Sequence, residues 1–126
     1  MAKAIRAASS ARLLCDAGDY EGACDRAYYA MFNAARAALL ASGANEQEAV
    51  AKTHGGLISA FSLQLVKTQK VPVEYGRLLN KVEELRLIAD YKGDTIEQEK
   101  AVWAVESAHS FVATIGSTFK LNESAG

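Results

Sequence analysis

Proline is nearly missing from this chain, with Pro72 the only one in 126 residues, so little interrupts long helices. Cysteine is scarce too: Cys15 and Cys24 show neither CxxC nor Cys/His ligand spacing, which argues against a zinc site and reads both as small buried residues. With His54 and His109 as the only histidines, nothing stands at the spacing of a metal constellation, a phosphate-cradling Gly loop or a Ser/His/Asp set. No metal and no cofactor are expected. The formal net charge of −1 supplies no global positive field for a polyanion, which leaves a local basic site as the only electrostatic route to nucleic acid. No apolar run approaches the roughly 20 residues that span a bilayer, and the opening MAKAIRAASSARLL has no uninterrupted apolar signal segment, so a cytoplasmic protein without membrane contact is expected.

What the chain does have is alanine, leucine and straight-chain polar residues, half of the total being hydrophobic. That composition favours helix and is enough for one core, so residues 1–126 read as a single all-α domain. Apolar positions recur at helical spacing from Ala4 to Cys15, where Gly18 stops the first helix. Asp19 is placed to cap a second helix from about Tyr20 to Ser42, whose apolar stripe is wide enough to make it the most buried. Gly43 to His54 reads as a connection, after which Thr53 can cap a third helix carrying Leu57, Ile58, Phe61 and Leu65 to near Lys70. Pro72 opens a fourth helix that Gly93 stops. Thr95 and Gln98 have capping-box spacing at the start of a fifth, which runs to Phe119, with fraying after Leu121. Amphipathic helices on short connections bury their stripes most simply as an up-down antiparallel bundle of about five helices. Tyr29 and Phe32 flank the main apolar face of the second helix, so this helix is either central to the bundle or also packs on a second copy, and a homodimer is expected.

Three stretches carry a family resemblance: DRAYYAMFNAARAALL at Asp25 to Leu40, THGGLISAF at Thr53 to Phe61, and ELRLIADY at Glu84 to Tyr91. Together with helix order and spacing over nearly the whole chain, they resemble the small, single-domain prokaryotic branch of the HEPN family. The resemblance implies a four- to five-helix bundle that dimerises and is often encoded beside a minimal nucleotidyltransferase as a toxin and antitoxin pair. Many HEPN proteins are metal-independent endoribonucleases whose signature is an Arg, then four to six intervening residues, then a His, near a helix end and shared across the dimer interface. Arg86 stands at the arginine position, but Leu87 to Lys92 contain no histidine.

Cleavage through a 2′-hydroxyl needs a base for that proton and a cation at the phosphate, roles His and Arg fill well near neutral pH. Asp90 lies four residues after Arg86, where an ion pair between the two is the plain outcome. His54, beside Gly55 and Gly56 at a helix start, is the better-placed histidine, although it can equally serve only to hold the loop. His109, beside Phe111 and Val112, reads as core or as an interhelical hydrogen bond. Catalytic candidates are therefore Arg86, Asp90, Tyr91 and His54. Arg26, Tyr29, Asn33 and Arg36 fall at i, i+3, i+7 and i+10, forming a polar stripe on an otherwise apolar helix. This stripe could meet Asp90 and Glu83 inside the bundle, line a pocket for nucleotide or RNA, or fix dimer register through hydrogen bonds. Tyr28 and Tyr29 point about 100° apart and cannot both stack on one ligand. The chain reads first as a binding module of a nucleotidyltransferase pair, second as a ribonuclease with a departed motif, and third as a structural helical adaptor.

Overall fold

The computed structural model describes residues 1–43, 54–91 and 95–121, with His54 and Tyr91 as backbone alone. Among them are five α-helices and no strand: α1 (Ala2–Asp16), α2 (Tyr20–Ala41), α3 (His54–Phe61), α4 (Val73–Tyr91) and α5 (Gln98–Thr118). The Gly43 to His54 connection beyond Gly43, the Thr53 cap, the Gly93 stop and the fraying after Leu121 fall outside the described residues.

Local chemistry sets the first hairpin. Gly18 takes a φ of +87°, open to glycine without steric cost, and its N–H donates to Cys15 O while Asp19 N–H donates to Leu14 O. Those two bonds satisfy carbonyls at the end of α1 and reverse the chain within three residues. Asp19 then caps α2 as expected, its Oδ1 accepting from Gly22 N–H at 2.9 Å. The same double bond closes α5, where Leu121 N–H reaches Gly116 O and Lys120 N–H reaches Ser117 O, with Lys120 at φ +56°.

Two boundaries differ from the sequence expectation. The third helix does not run to Lys70: after Phe61 the chain widens into a π-helical turn, Ser62–Val66, with Lys67 N–H on Ser62 O. Gln69 at φ +65° then turns Val71 back into the core, where it is 1% exposed, and this reversal ends the helix early. The fifth helix begins at Gln98 behind an extended Glu97 that makes no side-chain cap bond, rather than at a Thr95 capping box. Ile96 is buried, and burying it holds residues 95–97 extended.

Each of the other helices packs on α2, and α1 also packs along α5. The buried face of α1 is Ala4, Ala7, Ala8, Ala11 and Cys15, and α2 answers with an alanine-rich face of its own, so the two axes can approach closely. Larger side chains fill the far side of the core, where the Phe61 and Phe111 rings meet at 5.6 Å and Tyr75 approaches Phe111 edge-on at 6.2 Å. Tyr75 accepts a hydrogen bond from Thr114 Oγ1 at 3.1 Å. Contacts in opposite order between α2 and α4 (Tyr28 with Glu83, Asp25 with Arg86) establish antiparallel packing of that pair, and His109 on α5 reaches Ala8 on α1.

The α2 cap gives a test with a change of sign. A Cβ on Gly22 would collide with the Asp19 carboxylate. Asp19→Ala should cost about 1 kcal/mol in chemical denaturation. Gly22→Ala should gain little in the wild type, because displacing the cap offsets the roughly 1 kcal/mol helix-propensity gain, yet should stabilise the Asp19→Ala background by about that amount. Equal effects of Gly22→Ala in both backgrounds would contradict the cap geometry.

Candidate functional site

Arg86 sits on the inner flank of α4 with its side chain only 15% exposed, and three groups converge on it. Nη1 donates to Asp90 Oδ2 at 3.3 Å, one turn further along the same helix. The same nitrogen lies 3.8 Å from Asp25 Oδ1 on α2. The guanidinium carbon stands 4.9 Å from the centre of the Tyr28 ring, a cation–π contact. Tyr28 in turn donates its hydroxyl to Glu83 Oε2 at 3.5 Å, one turn before Arg86. Two i, i+3 pairs, Asp25/Tyr28 on α2 and Glu83/Arg86 on α4, thus interlock across the antiparallel crossing.

Electrostatics follow from burial. Desolvation at 2% exposure, then the neighbouring Glu83 charge, pushes the Tyr28 hydroxyl well above the usual tyrosine range, with Arg86 opposing them. Tyr28 is therefore a neutral donor at any physiological pH. Burial likewise pushes the Cys24 thiol up to about 12, aided by Cys15, Glu21 and Asp25, which makes it an inert core residue as its sequence setting suggests.

The structure joins Arg86 to Asp90 but brings none of the polar stripe to them. Arg26 lies over the Tyr29 ring at 4.7 Å, and Asn33 Nδ2 donates to Tyr29 O at 2.8 Å on its own helix. Arg36 lines an open notch of about 270 Å³ with Lys3, Asn33 and Leu40. The stripe is thus a surface feature between α1 and α4, and it is Arg86 that reaches Asp90 inside. Tyr28 is buried while Tyr29 is exposed, as their angular separation requires. His109 Nε2 lies 3.0 Å from Ala8 O, the interhelical bond its position suggested. The side chains of His54 and Tyr91 lie outside the described residues. Sequence reasoning missed Asp25 and Tyr28 as Arg86 partners, because the pairing is visible only once α2 and α4 are known to cross antiparallel. No group of three or more metal-ligating side chains occurs among the described residues.

A family model for the HEPN domain matches residues 1–118. This chain belongs to the HEPN family. The chain is also similar to named proteins over most of their length. The chain is 36% identical over 112 residues to a Methanocaldococcus jannaschii protein named "Putative toxin MJ0605", covering 89% of this chain and 80% of that one. It is 38% identical to a Gloeobacter violaceus protein named UPF0332 protein glr0978, over 74% and 70% of the two chains. A Thermotoga maritima UPF0332 protein is 37% identical over 71% of this chain and 64% of its own. The all-α HEPN bundle is what the fold displays, and no described helix is long and apolar enough to cross a membrane.

If Arg86 holds α4 to α2, Arg86→Ala should lower stability by about 1.5–3 kcal/mol, the range for hydrogen bonds to charged groups, with Asp25 and Asp90 half-exposed and screened. Arg86→Lys should recover only part, since an ammonium cannot serve two carboxylates and a ring face from one plane. An unchanged urea midpoint in Arg86→Ala would remove the structural role.

Proposed function

We propose that this HEPN protein is the binding member of a toxin–antitoxin type pair, recognising a nucleotidyltransferase protein as its partner. The observation that carries this reading is the state of Arg86. Its Nη1 is engaged by Asp25 and Asp90, and no histidine follows it where the family signature has one, the residues there being Tyr91, Lys92 and Gly93. A guanidinium held between two carboxylates has its charge largely spent before a phosphate arrives, and an aspartate already accepting from that guanidinium is a poor base for a 2′-hydroxyl. The names of two Methanocaldococcus jannaschii relatives, at 36% and 29% identity, support the toxin–antitoxin setting. Nucleotide or RNA is the small or polymeric ligand such a module would take. The rival reading, a metal-independent endoribonuclease, draws on the retained arginine alone.

Self-association as a homodimer belongs to this proposal, and the face around Trp103 suits it. Trp103 is 39% exposed beside a groove with Lys81, Glu84 and Lys100, and Glu99 and Glu106 lie one turn before and after it on α5. With more cations on the groove side and carboxylates on the other, a twofold axis along α5 would set unlike charges opposite each other.

Purified protein incubated with single-stranded RNA and tRNA in chelator should leave both intact, as should Arg86→Ala. Cleavage by the wild type that disappears in a folded Arg86→Lys protein would establish the ribonuclease instead. Co-expression with a tagged nucleotidyltransferase encoded beside the gene should yield a stable complex. Trp103→Asp should convert a sedimenting dimer to a monomer of unchanged helical content, with the loss of the dimer's concentration-dependent share of the melting temperature; a dimer that persists would place self-association elsewhere.

A further inference from the structure

Charge is strongly segregated in this chain despite its net value of −1. Residues 1–15 and 26–43 contain five basic side chains, Lys3, Arg6, Arg12, Arg26 and Arg36, and no acidic one. The fold lays these two stretches side by side as the α1–α2 hairpin. Three of them, Lys3, Arg26 and Arg36, gather along the solvent side of α2. Arg26 covers the ring of Tyr29, itself 41% exposed, and one turn on Asn33 leads to the notch where Arg36 and Lys3 flank Leu40, 44% exposed. Arg26 to Arg36 spans about 15 Å of helix at 1.5 Å per residue. Among the described residues none of Lys3, Arg26 and Arg36 makes an ion pair.

We infer that this face docks an acidic protein surface: a partner helix or strand carrying carboxylates around an apolar centre. The inference rests on the partner reading above and names where and by what chemistry the partner is held. Three features choose the occupant. Arg and Tyr around exposed apolar side chains make up the composition of an interface core, where they contribute most of the binding energy. A second copy of the chain fits less well, because a twofold pairing centred on Tyr29 to Leu40 would bring Arg26, Arg36 and Lys3 of the two copies together, with carboxylates only at the Glu21 and Asp25 end of the face. Nucleic acid fits less well than protein: three cations would neutralise few phosphates, giving weak binding at physiological salt, while Leu40 would gain nothing from a phosphate backbone. Asp25, the nearest carboxylate at the edge of the face, is taken up by Arg86.

The test uses the full chain and three labelled probes read by fluorescence anisotropy: a short amphipathic peptide with leucine at helical spacing and glutamate flanks, the same peptide with lysine for glutamate, and a uridine oligonucleotide. The acidic peptide should bind, and the Lys3→Glu/Arg36→Glu protein should bind it roughly tenfold or more weakly, in line with loss of two interfacial charges. Lys67→Glu/Lys70→Glu, in the exposed turn after Val66, should bind as wild type does. Because reversed charges can perturb folding, Lys3→Gln/Arg36→Gln serves as a second variant, and both should keep the wild-type melting temperature. Equal binding of the acidic and basic peptides, or preferred binding of the oligonucleotide at near-physiological salt, would overturn the inference. So would a wild-type dimer dissociated by Tyr29→Arg in sedimentation, which would give the face to a second copy. Failure of this surface and failure of the partner reading are separable. A nucleotidyltransferase complex that survives Lys3→Glu/Arg36→Glu refutes the face alone, whereas absence of any complex refutes the partner reading while the peptide probes still report on the face.

Discussion

Burial of α2 is the constraint from which the rest of the molecule follows. Ten of its residues, Ala23 through Leu39, are buried, and seven of them other than Cys24, Tyr28 and Met31 are small or single-branched side chains that let neighbouring helices come close. A helix lined this way cannot stabilise itself by propensity alone, because most helical stability comes from packing an apolar face. It needs α1 on one flank, α4 on the other and α5 across its back, and that is the contact pattern observed. Only a narrow sector remains for solvent, and every exposed residue of α2 is forced into it. The polar stripe is therefore a consequence of the packing: Arg26, Tyr29, Asn33 and Arg36 lie in one line because no other part of the helix is open.

The Arg86 cluster shows how such a bundle fixes the register of a helix that packs with few large side chains. Tyr28 places a buried hydroxyl and an aromatic face at the α2–α4 crossing, and a buried hydroxyl without a partner would cost on the order of 1–3 kcal/mol. Glu83 satisfies it, Arg86 covers the ring, and Asp25 and Asp90 balance the guanidinium. Sliding α4 by one residue would break all of these contacts together. Charge here therefore serves geometry, consistent with the view that buried polar clusters specify an arrangement more than they add net stability.

The sequence showed clearly what depends on local chemistry. The Gly18 stop, the Asp19 cap and the α2 span were legible because each rests on residues within one or two turns. The π-helical turn at Ser62–Val66 was not, since Leu63, Gln64 and Leu65 all suit an ordinary helix and only the return of Val71 to the core shortens it. The start of α5 was misplaced for a similar reason: Thr95 and Gln98 have the right spacing for a cap, but the burial of Ile96 prevails. At the candidate site the Arg86–Asp90 pair was readable from i, i+4 spacing, whereas Asp25 and Tyr28 lie some sixty residues away and enter through tertiary packing. The inward network drawn for the stripe failed because periodicity places residues on one face but does not say which neighbour covers that face.

Losing the family's histidine while keeping the arginine changes what the arginine can do. Imidazole near its ordinary range can lose or gain a proton at neutral pH and leaves a neighbouring arginine free to meet a phosphate. A carboxylate four residues from the same arginine instead attracts it, and the resulting pair has lower energy than either group facing solvent alone. Asp90 thus holds Arg86 in place, and Asp25 and the Tyr28 ring complete its environment. Once inward, the arginine is worth more to the fold than to a ligand, because extracting it would leave carboxylates and a ring face without their cation. The cations that remain open lie on the α1–α2 hairpin, where Lys3, Arg26 and Arg36 make no ion pair among the described residues and the acids Asp16, Asp19, Glu21 and Asp25 cluster about its turn. On the reading proposed above, recognition lies on the open sector of the central helix rather than at the helix end that carries the family motif.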